Sequence, residues 1–300
     1  MEEKIWWSSA SAGTSCLKTE LECLSCFFGQ VTRTLKHAGV NGDRGRGIVR
    51  KAATIIEQAS LAEVPARTST ILHRMLREET GTDPYRSLKA DYNRIALDRM
   101  PSLKARVSRF DDRLEGSVRV AIAGNVIDFG IYESINLDRA IEESVRLQIS
   151  HDDYRAFSRE VGMARRILYL CDNAGEIVFD RLLLESLRAL GKDVTAVVKG
   201  SPVINDATFE DALAAGLHEY ATVIDNGNDG IGTLLEACSA RFMEFYQSAD
   251  LIISKGQANY ETLVGEKDTR IFFLFKVKCP VVAGFLGHKN GDIVLTRGQE

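Results

Sequence analysis

The sequence predicts an α/β protein in two regions, a helical region over residues 1–160 and a doubly wound α/β domain over 161–300. Two changes of pattern carry that expectation. From Leu17 to about Ser150 the apolar residues recur three and four apart, and strand-like alternation is absent. After about Arg165, short β-branched and aromatic runs alternate with helical stretches. Near-continuous apolar strands separated by helices imply a mostly parallel sheet covered on both faces.

Each element follows from local chemistry. "GIVRKAATIIEQASL" (Gly47 to Leu61) and "STILHRMLREETG" (Ser69 to Gly81) place aliphatics at helical spacing, and Gly81 stands where a helix C-cap belongs. Pro84 opens a further helix through "YRSLKADYNRIALDRM" until Pro101 interrupts it. The junction from Tyr154 to Arg165 is charged and helix-like, so the two regions pack together. The expected strands are "RILYL", "VTAVV", "ATVI", "ADLIIS", "RIFFLF" and "VVAGFL".

Of the 300 residues, 45% are hydrophobic and 27% charged, the balance of a globular chain and not of a disordered one. Lys and Arg number 38 against 42 Asp and Glu, a formal net charge of -4, which points away from nucleic acid or an acidic membrane and towards a small ligand. No window approaches the roughly 18 apolar residues of a membrane span. The acidic start "MEEKIWWSSASAGTSC" lacks the apolar stretch of a secretory signal, and residues 1–16 are expected to be a poorly ordered leader. Six thinly spread cysteines suit a reduced, cytoplasmic setting. Oligomeric state is left open.

Polar residues gather where the strands should end. "LYLCDNAGEIVFD" sets Asp172 and Asn173 behind an apolar run, and "VVKGSPVINDATFEDA" sets Asn205 and Asp206 behind another. Each acid alone reads as a helix cap. Together, at the carboxyl ends of two strands of one sheet, they read as a site for a hard divalent cation. The helix N-termini after Asn173 and Asp206 would add N–H donors for an anion.

In "VAIAGNVIDFG", Asn125 and Asp128 lie three apart on one face of an apolar helix, and a buried ionised Asp requires a partner. That helix is expected to look into the site. In "DLIISKGQANYETL", a strand ends at Ser254, Lys255 and Gly256, followed by Gln257, Asn259, Tyr260 and Glu261. Gly256 would let backbone N–H groups approach an anion, with Lys255 and Asn259 beside it. In "FKVKCPVVAG", Lys276 and Lys278 hold alternate strand positions and so share a face, which makes either a candidate anion contact.

These motifs in this order resemble the damage-control phosphatase family, formerly a domain of unknown function numbered 89. The likeness is to its prokaryotic branch with an N-terminal Cys-x-x-Cys. It runs from "CLSCFFGQ" through "AGNVID", "CDNAGEIVFD", "VKGSPVINDAT" and "SKGQANYETL" to "KCPVVAG". The resemblance implies a helical region packed on a Rossmann-like α/β/α domain and a phosphatase dependent on a divalent metal such as manganese, magnesium, cobalt or nickel. The family's metal-binding Asp-Asn pair and later Asp fall on Asp172, Asn173 and Asp206, and its phosphate-contacting Lys falls on Lys278. In such a site a metal-activated water attacks phosphorus in line, Lys278 offsets the charge that builds, and Asp128 or Glu176 orients the water. The expected substrate is a small phosphomonoester, a sugar phosphate or a damaged phosphometabolite.

Other readings are weaker. An aspartyl-phosphate phosphatase would need a second acid at position 174, which is Ala. The Gly-x-Gly-x-x-Gly fingerprint of a dinucleotide oxidoreductase is absent. A Rossmann-like methyltransferase and a non-catalytic metal- or nucleotide-binding protein remain as alternatives. Cys23 and Cys26 could form half of a zinc site with Cys16 or Cys279, but without a second pair they are read as packing thiols, as are Cys171 and Cys238.

Overall fold

Heptad-like apolar spacing folds the first half of the chain into helices, seen in a computed structural model that describes residues 16–126, 137–146 and 149–299. The first three, α1 (Leu21–His37), α2 (Gly42–Glu57) and α3 (Pro65–Thr80), bury Cys23, Phe27, Val31, Ile48, Ala52, Ile56, Leu72 and Leu76 in a cluster of their own. Pro65 sits in the first turn of α3, and Gly81, left-handed at φ 71, ends it as the sequence implies. The helix expected after Pro84 is α4 (Arg86–Leu97), which ends just short of Met100, and a separate helix, α5 (Met100–Val107), follows. Pro101 lies in the first turn of α5, where a missing N–H costs nothing, so it starts a helix as well as ending one. Next come α6 (Arg113–Val126) and α7 (Leu137–Arg146). Asp128 and residues 1–15 of the expected leader lie outside the described residues.

The second half alternates: β1 (His151–Asp152), α8 (Tyr154–Met163), β2 (Arg166–Leu170), α9 (Glu176–Ala189), β3 (Asp193–Val198), α10 (Phe209–Ala214), β4 (Thr222–Asp225), α11 (Ala240–Ser248), β5 (Leu251–Lys255), α12 (Gln257–Leu263), β6 (Ile271–Lys276), α13 (Pro280–Leu286) and β7 (Ile293–Arg297). They build one seven-stranded sheet in the order β1-β7-β6-β5-β2-β3-β4. Its strands are parallel except that β7 runs against β6, carrying β1 with it. From β4 to β7 this is the strand order of a doubly wound sheet, as expected.

Side-chain alternation divides the sheet into two faces. Ile167, Tyr169, Ile253, Phe272 and Leu274 join a cluster with Leu103, Val118, Ile122 and Leu183. Leu168, Leu170, Ile252, Phe273 and Phe275 pack on the other side with Phe242, Leu263 and Val282. The expected division at residue 160 therefore falls inside a shared core, since α5 and α6 cover the same face as α9. Among the described residues no helix is long and apolar enough to cross a membrane.

One expected strand is a helix. The run 281–286 is rich in β-formers but forms α13, because Pro280 supplies a helical first turn and Cys279 Sγ accepts the Val282 N–H at 3.5 Å. The last strand is instead β7, which pairs antiparallel with β6.

Candidate metal and phosphate site

The strand order reverses between β2 and β5, and the loops leaving neighbouring strands there turn to opposite faces and open a crevice. Asp172 follows β2 at that point. The loop after β3 is bonded to it: Ala174 N–H donates to Asn205 O at 2.9 Å, Ala207 N–H donates to Asp172 O at 2.8 Å, and Asn173 pairs with Asp206 as an antiparallel bridge. Neither acid caps a helix. The residue before α9 is Gly175, and α10 is capped by Thr208 in a reciprocal box with Asp211. Both carboxylates are thereby left for another task, and both are buried.

Around Asp172 the partners are specific. Its Oδ2 accepts from Asn173 Nδ2 at 2.7 Å and from Asn125 Nδ2 at 3.0 Å. Asn125, reaching in from α6, also donates to Glu176 Oε2 at 2.9 Å and accepts the Lys276 backbone N–H at 3.0 Å. The helix looks into the site as its sequence implies. Gly256 is left-handed at φ 83, and a Cβ there would overlap the Asp172 carboxylate. Its N–H is spent on Leu274 O at 3.2 Å, so Gly256 makes room for Asp172 and does not offer an N–H to an anion.

Two further expectations are corrected. Lys255 is fully buried, and its three ammonium hydrogens meet Ala121 O at 2.9 Å, Glu176 Oε1 at 2.8 Å and Asp180 Oδ1 at 2.5 Å. It lies beneath the site and fixes Glu176, with no donor left for a substrate. Asn259 donates to Lys255 O at 2.7 Å and Cys171 O at 3.3 Å and accepts from Thr233 Oγ1 at 2.8 Å, so it ties backbone together instead of facing substrate. The expected N–H donors at the helix starts are also engaged, Gly175 N–H by Asn93 Oδ1 at 2.7 Å and Thr208 N–H by Asp211 Oδ2 at 2.9 Å.

Electrostatics favours a cation here. Burial, then the nearby Glu176 and Asp206 carboxylates, push the Asp172 carboxyl far above its usual range. Burial also raises Asp206, against the pull of Lys199, whose Nζ lies 3.5 Å from Oδ2. Burial would raise Glu176 too, but Lys255 and then Lys278 hold it below the usual value. Two buried carboxylates therefore lack full compensation, and among the described residues no hydrogen bond engages Asn173 Oδ1. Two carboxylates and an amide oxygen are the donors of a hard divalent cation and would leave positions for water and a phosphoryl group. Among the described residues no three His, Cys, Asp or Glu side chains converge as ligands, so the amide is needed to complete the set.

A cavity of about 560 Å³ opens over these residues, walled by α1, α3, α12 and the start of α13. Lys278 lines it and is exposed, and its charge acts on both Asp172 and Glu176. Lys276 is half-buried, contributes its backbone N–H to Asn125 and does not line the cavity. The shared face expected of the two lysines does not arise, because β6 ends at Lys276 and Lys278 lies in the following turn. Cys23, buried, and Cys26, exposed, both line the cavity. A larger groove of about 720 Å³, lined by Lys104, Asp112, Leu182 and Leu190, lies along α5 and the later turns of α9, away from the strand ends.

Sequence reasoning missed three supporting residues. Lys199 holds Asp206 and also donates to Gly232 O. Asp180 shares Lys255 with Glu176. Asn93 bonds Gly175 N–H after the first loop and Asp211 Oδ1, at 2.8 Å, after the second. Its signal was the i, i+4 polar pair Lys89 and Asn93 on the face of α4 that also buries Tyr92 and Ala96.

Known proteins resemble the chain over most of its length. The model of the damage-control phosphatase ARMT1-like domain matches residues 19–294. A damage-control phosphatase of Pyrococcus horikoshii is 35% identical over 287 residues, covering 94% of this chain and 99% of the relative. One from Archaeoglobus fulgidus is 34% identical over 283 residues, 91% of this chain and 96% of the relative. An uncharacterized protein of Methanocaldococcus jannaschii is 39% identical over 292 residues, 94% and 96%. The crystal structure of a Pyrococcus horikoshii protein of the same family, under its older numbered name, superposes with a TM-score of 0.89 at 35% identity, over 94% of this chain and 99% of that one.

Proposed function

The chain belongs to the damage-control phosphatase family, and on that premise we propose that it hydrolyses small phosphomonoesters, sugar phosphates or damaged phosphometabolites, with the help of a divalent metal. The observation that carries this reading is the junction of two strand-end loops that sets Asp172, Asn173 and Asp206 together at the floor of a cavity walled by Lys278. Asp172, Asn173 and Asp206 would hold magnesium, manganese, cobalt or nickel. Such an ion supplies Lewis-acid polarisation of phosphoryl oxygens and a more acidic water.

The chain's own groups do the rest. Asn125 and Gly256 set the orientation of Asp172, and Lys199 sets that of Asp206. Lys278 offsets charge that accumulates on the phosphoryl oxygens, a stabilisation largest in the transition state. The walls over the strand ends limit the water that reaches the ester. As the ester P–O bond breaks, an oxygen from water joins phosphorus and the alcohol leaves with a proton. Glu176, with both oxygens engaged by Asn125 and Lys255, positions its neighbours and is poorly placed to orient the water. Asp128 remains the proposed group for that role.

The test is phosphate release from a panel of phosphomonoesters with magnesium, manganese, cobalt and nickel and with chelator, alongside calorimetric metal titration. Release should require metal. Asp172→Ala and Asp206→Ala should each lose metal binding and most turnover while staying folded, and Asn173→Ala should weaken binding less because it removes a neutral ligand. Undiminished metal affinity in both aspartate variants would remove the site. Metal binding without turnover on any ester would favour the non-catalytic reading.

A further inference from the structure

One acid in the cavity wall has no part in the chemistry above. Glu261 lies one turn into α12, lines the cavity and accepts a hydrogen bond from Gln257 Nε2 at 2.7 Å. Among the described residues no Lys, Arg or His forms an ion pair with it. Burial pushes its carboxyl up to about 7, against the smaller effect of Gln257, as expected of a carboxylate still short of a cationic partner. Gln257 also accepts the Lys278 backbone N–H at 2.7 Å, so a single amide separates the lysine that faces the phosphoryl group from the Glu261 carboxylate.

The rest of the wall supports a ligand stretched between those ends. Pro65, Ala66, Ile231, Ala258 and Val281 offer apolar surface, and Glu22 adds a second acid on the α1 side. Lys278 is the single cationic side chain among the described residues that line the cavity. A substrate with a second phosphate or a carboxylate would meet Glu22 and Glu261 without a compensating cation. An ammonium would meet them favourably.

We propose that Glu261 determines specificity, accepting an ammonium or similar cationic group on the organic part of a phosphomonoester, with a short apolar spacer between that group and the ester oxygen. This rests on the phosphatase reading of the same cavity.

The experiment compares kcat/KM for ω-aminoalkyl phosphates of two to six carbons, the matching n-alkyl phosphates and ω-carboxyalkyl phosphates, with p-nitrophenyl phosphate as reference. The intact protein should prefer the best aminoalkyl ester to its alkyl match by about tenfold or more, equivalent to about 1.4 kcal/mol, and should disfavour the carboxyalkyl series. In Glu261→Gln, which keeps an acceptor for Gln257, the preference should fall to near one. In Glu261→Lys it should turn towards the carboxyalkyl esters. A structural role would lower turnover of all three series together and leave the ratios alone. An equal response to amine and alkyl in the intact protein, or a preference that survives Glu261→Gln, would overturn the assignment. No release from p-nitrophenyl phosphate with any metal would overturn the phosphatase reading and the assignment with it, whereas release with flat ratios removes the assignment alone.

Discussion

Lys276 and Lys278 are two residues apart in sequence and differ in what they can reach. Lys276 closes β6 with its N–H on Asn125, and its side chain is not part of the cavity. Lys278 sits in the cavity wall near Asp172 and Glu176. Lys278→Ala should therefore lower kcat by a factor on the order of 10² to 10³, about 3 kcal/mol by analogy with loss of an oxyanion donor, while calorimetric metal affinity hardly changes. Lys276→Ala should have a small effect on kcat. The opposite outcome in steady-state kinetics would reassign the anion contact. Lys255 shows how burial redirects a lysine: with each ammonium hydrogen on a protein oxygen, it is a structural cation under Glu176.

At the scale of elements, α4 supports the site without entering it. Asn93 joins the start of α9 to Asp211 in α10, and Lys89 reinforces that carboxylate at 3.2 Å. The loops bearing Asp172 and Asp206 are thus held from behind by one amide. Asn93→Ala should leave secondary structure intact by circular dichroism and weaken metal affinity on the order of tenfold or more, as loss of an outer support does at metal sites. Calorimetry that shows unchanged affinity would mean the two loops hold each other without α4. The helix α13 carries a related lesson. Its two valines and its phenylalanine favour a strand locally, yet Pro280 and the Cys279 cap decide for helix.

Across the whole molecule, α1 and α3 wall the cavity over the strand-end loops. Arg74 and Arg77 both pair with Asp229, and Ile231 N–H donates to Thr70 Oγ1 at 3.0 Å, which anchors α3 to the loop after β4. This closure brings Cys23 and Cys26 to the cavity, although Cys23 also packs with Phe27 and Val31 in the helical cluster. With no third His, Cys, Asp or Glu converging among the described residues, the pair is read as packing and wall. Cys23→Ser with Cys26→Ser should keep metal-dependent phosphate release and lose about 1 kcal/mol of stability in denaturant titration, from a hydroxyl placed in the apolar cluster. Elemental analysis that finds tightly held zinc in the intact protein and none in the variant would overturn this.

Much of the architecture was legible in the sequence. The change from helical to strand periodicity located β2 to β6 within a residue or two, and the polar residues directly behind β2 and β3 marked the loops that the structure joins. Such signals lie in neighbours within about four residues, because helix and strand geometry repeat over that distance. Only tertiary structure decided which polar side chains remain available. Asn93 meets Gly175 across 82 residues, Lys255 meets Ala121 across 134, and Asn259 meets Thr233 across 26. Strand order selects those partners. A lysine or amide near the site in sequence is consumed when the sheet brings it an acceptor, and Glu261 lines the cavity with Gln257 as its hydrogen-bond partner among the described residues.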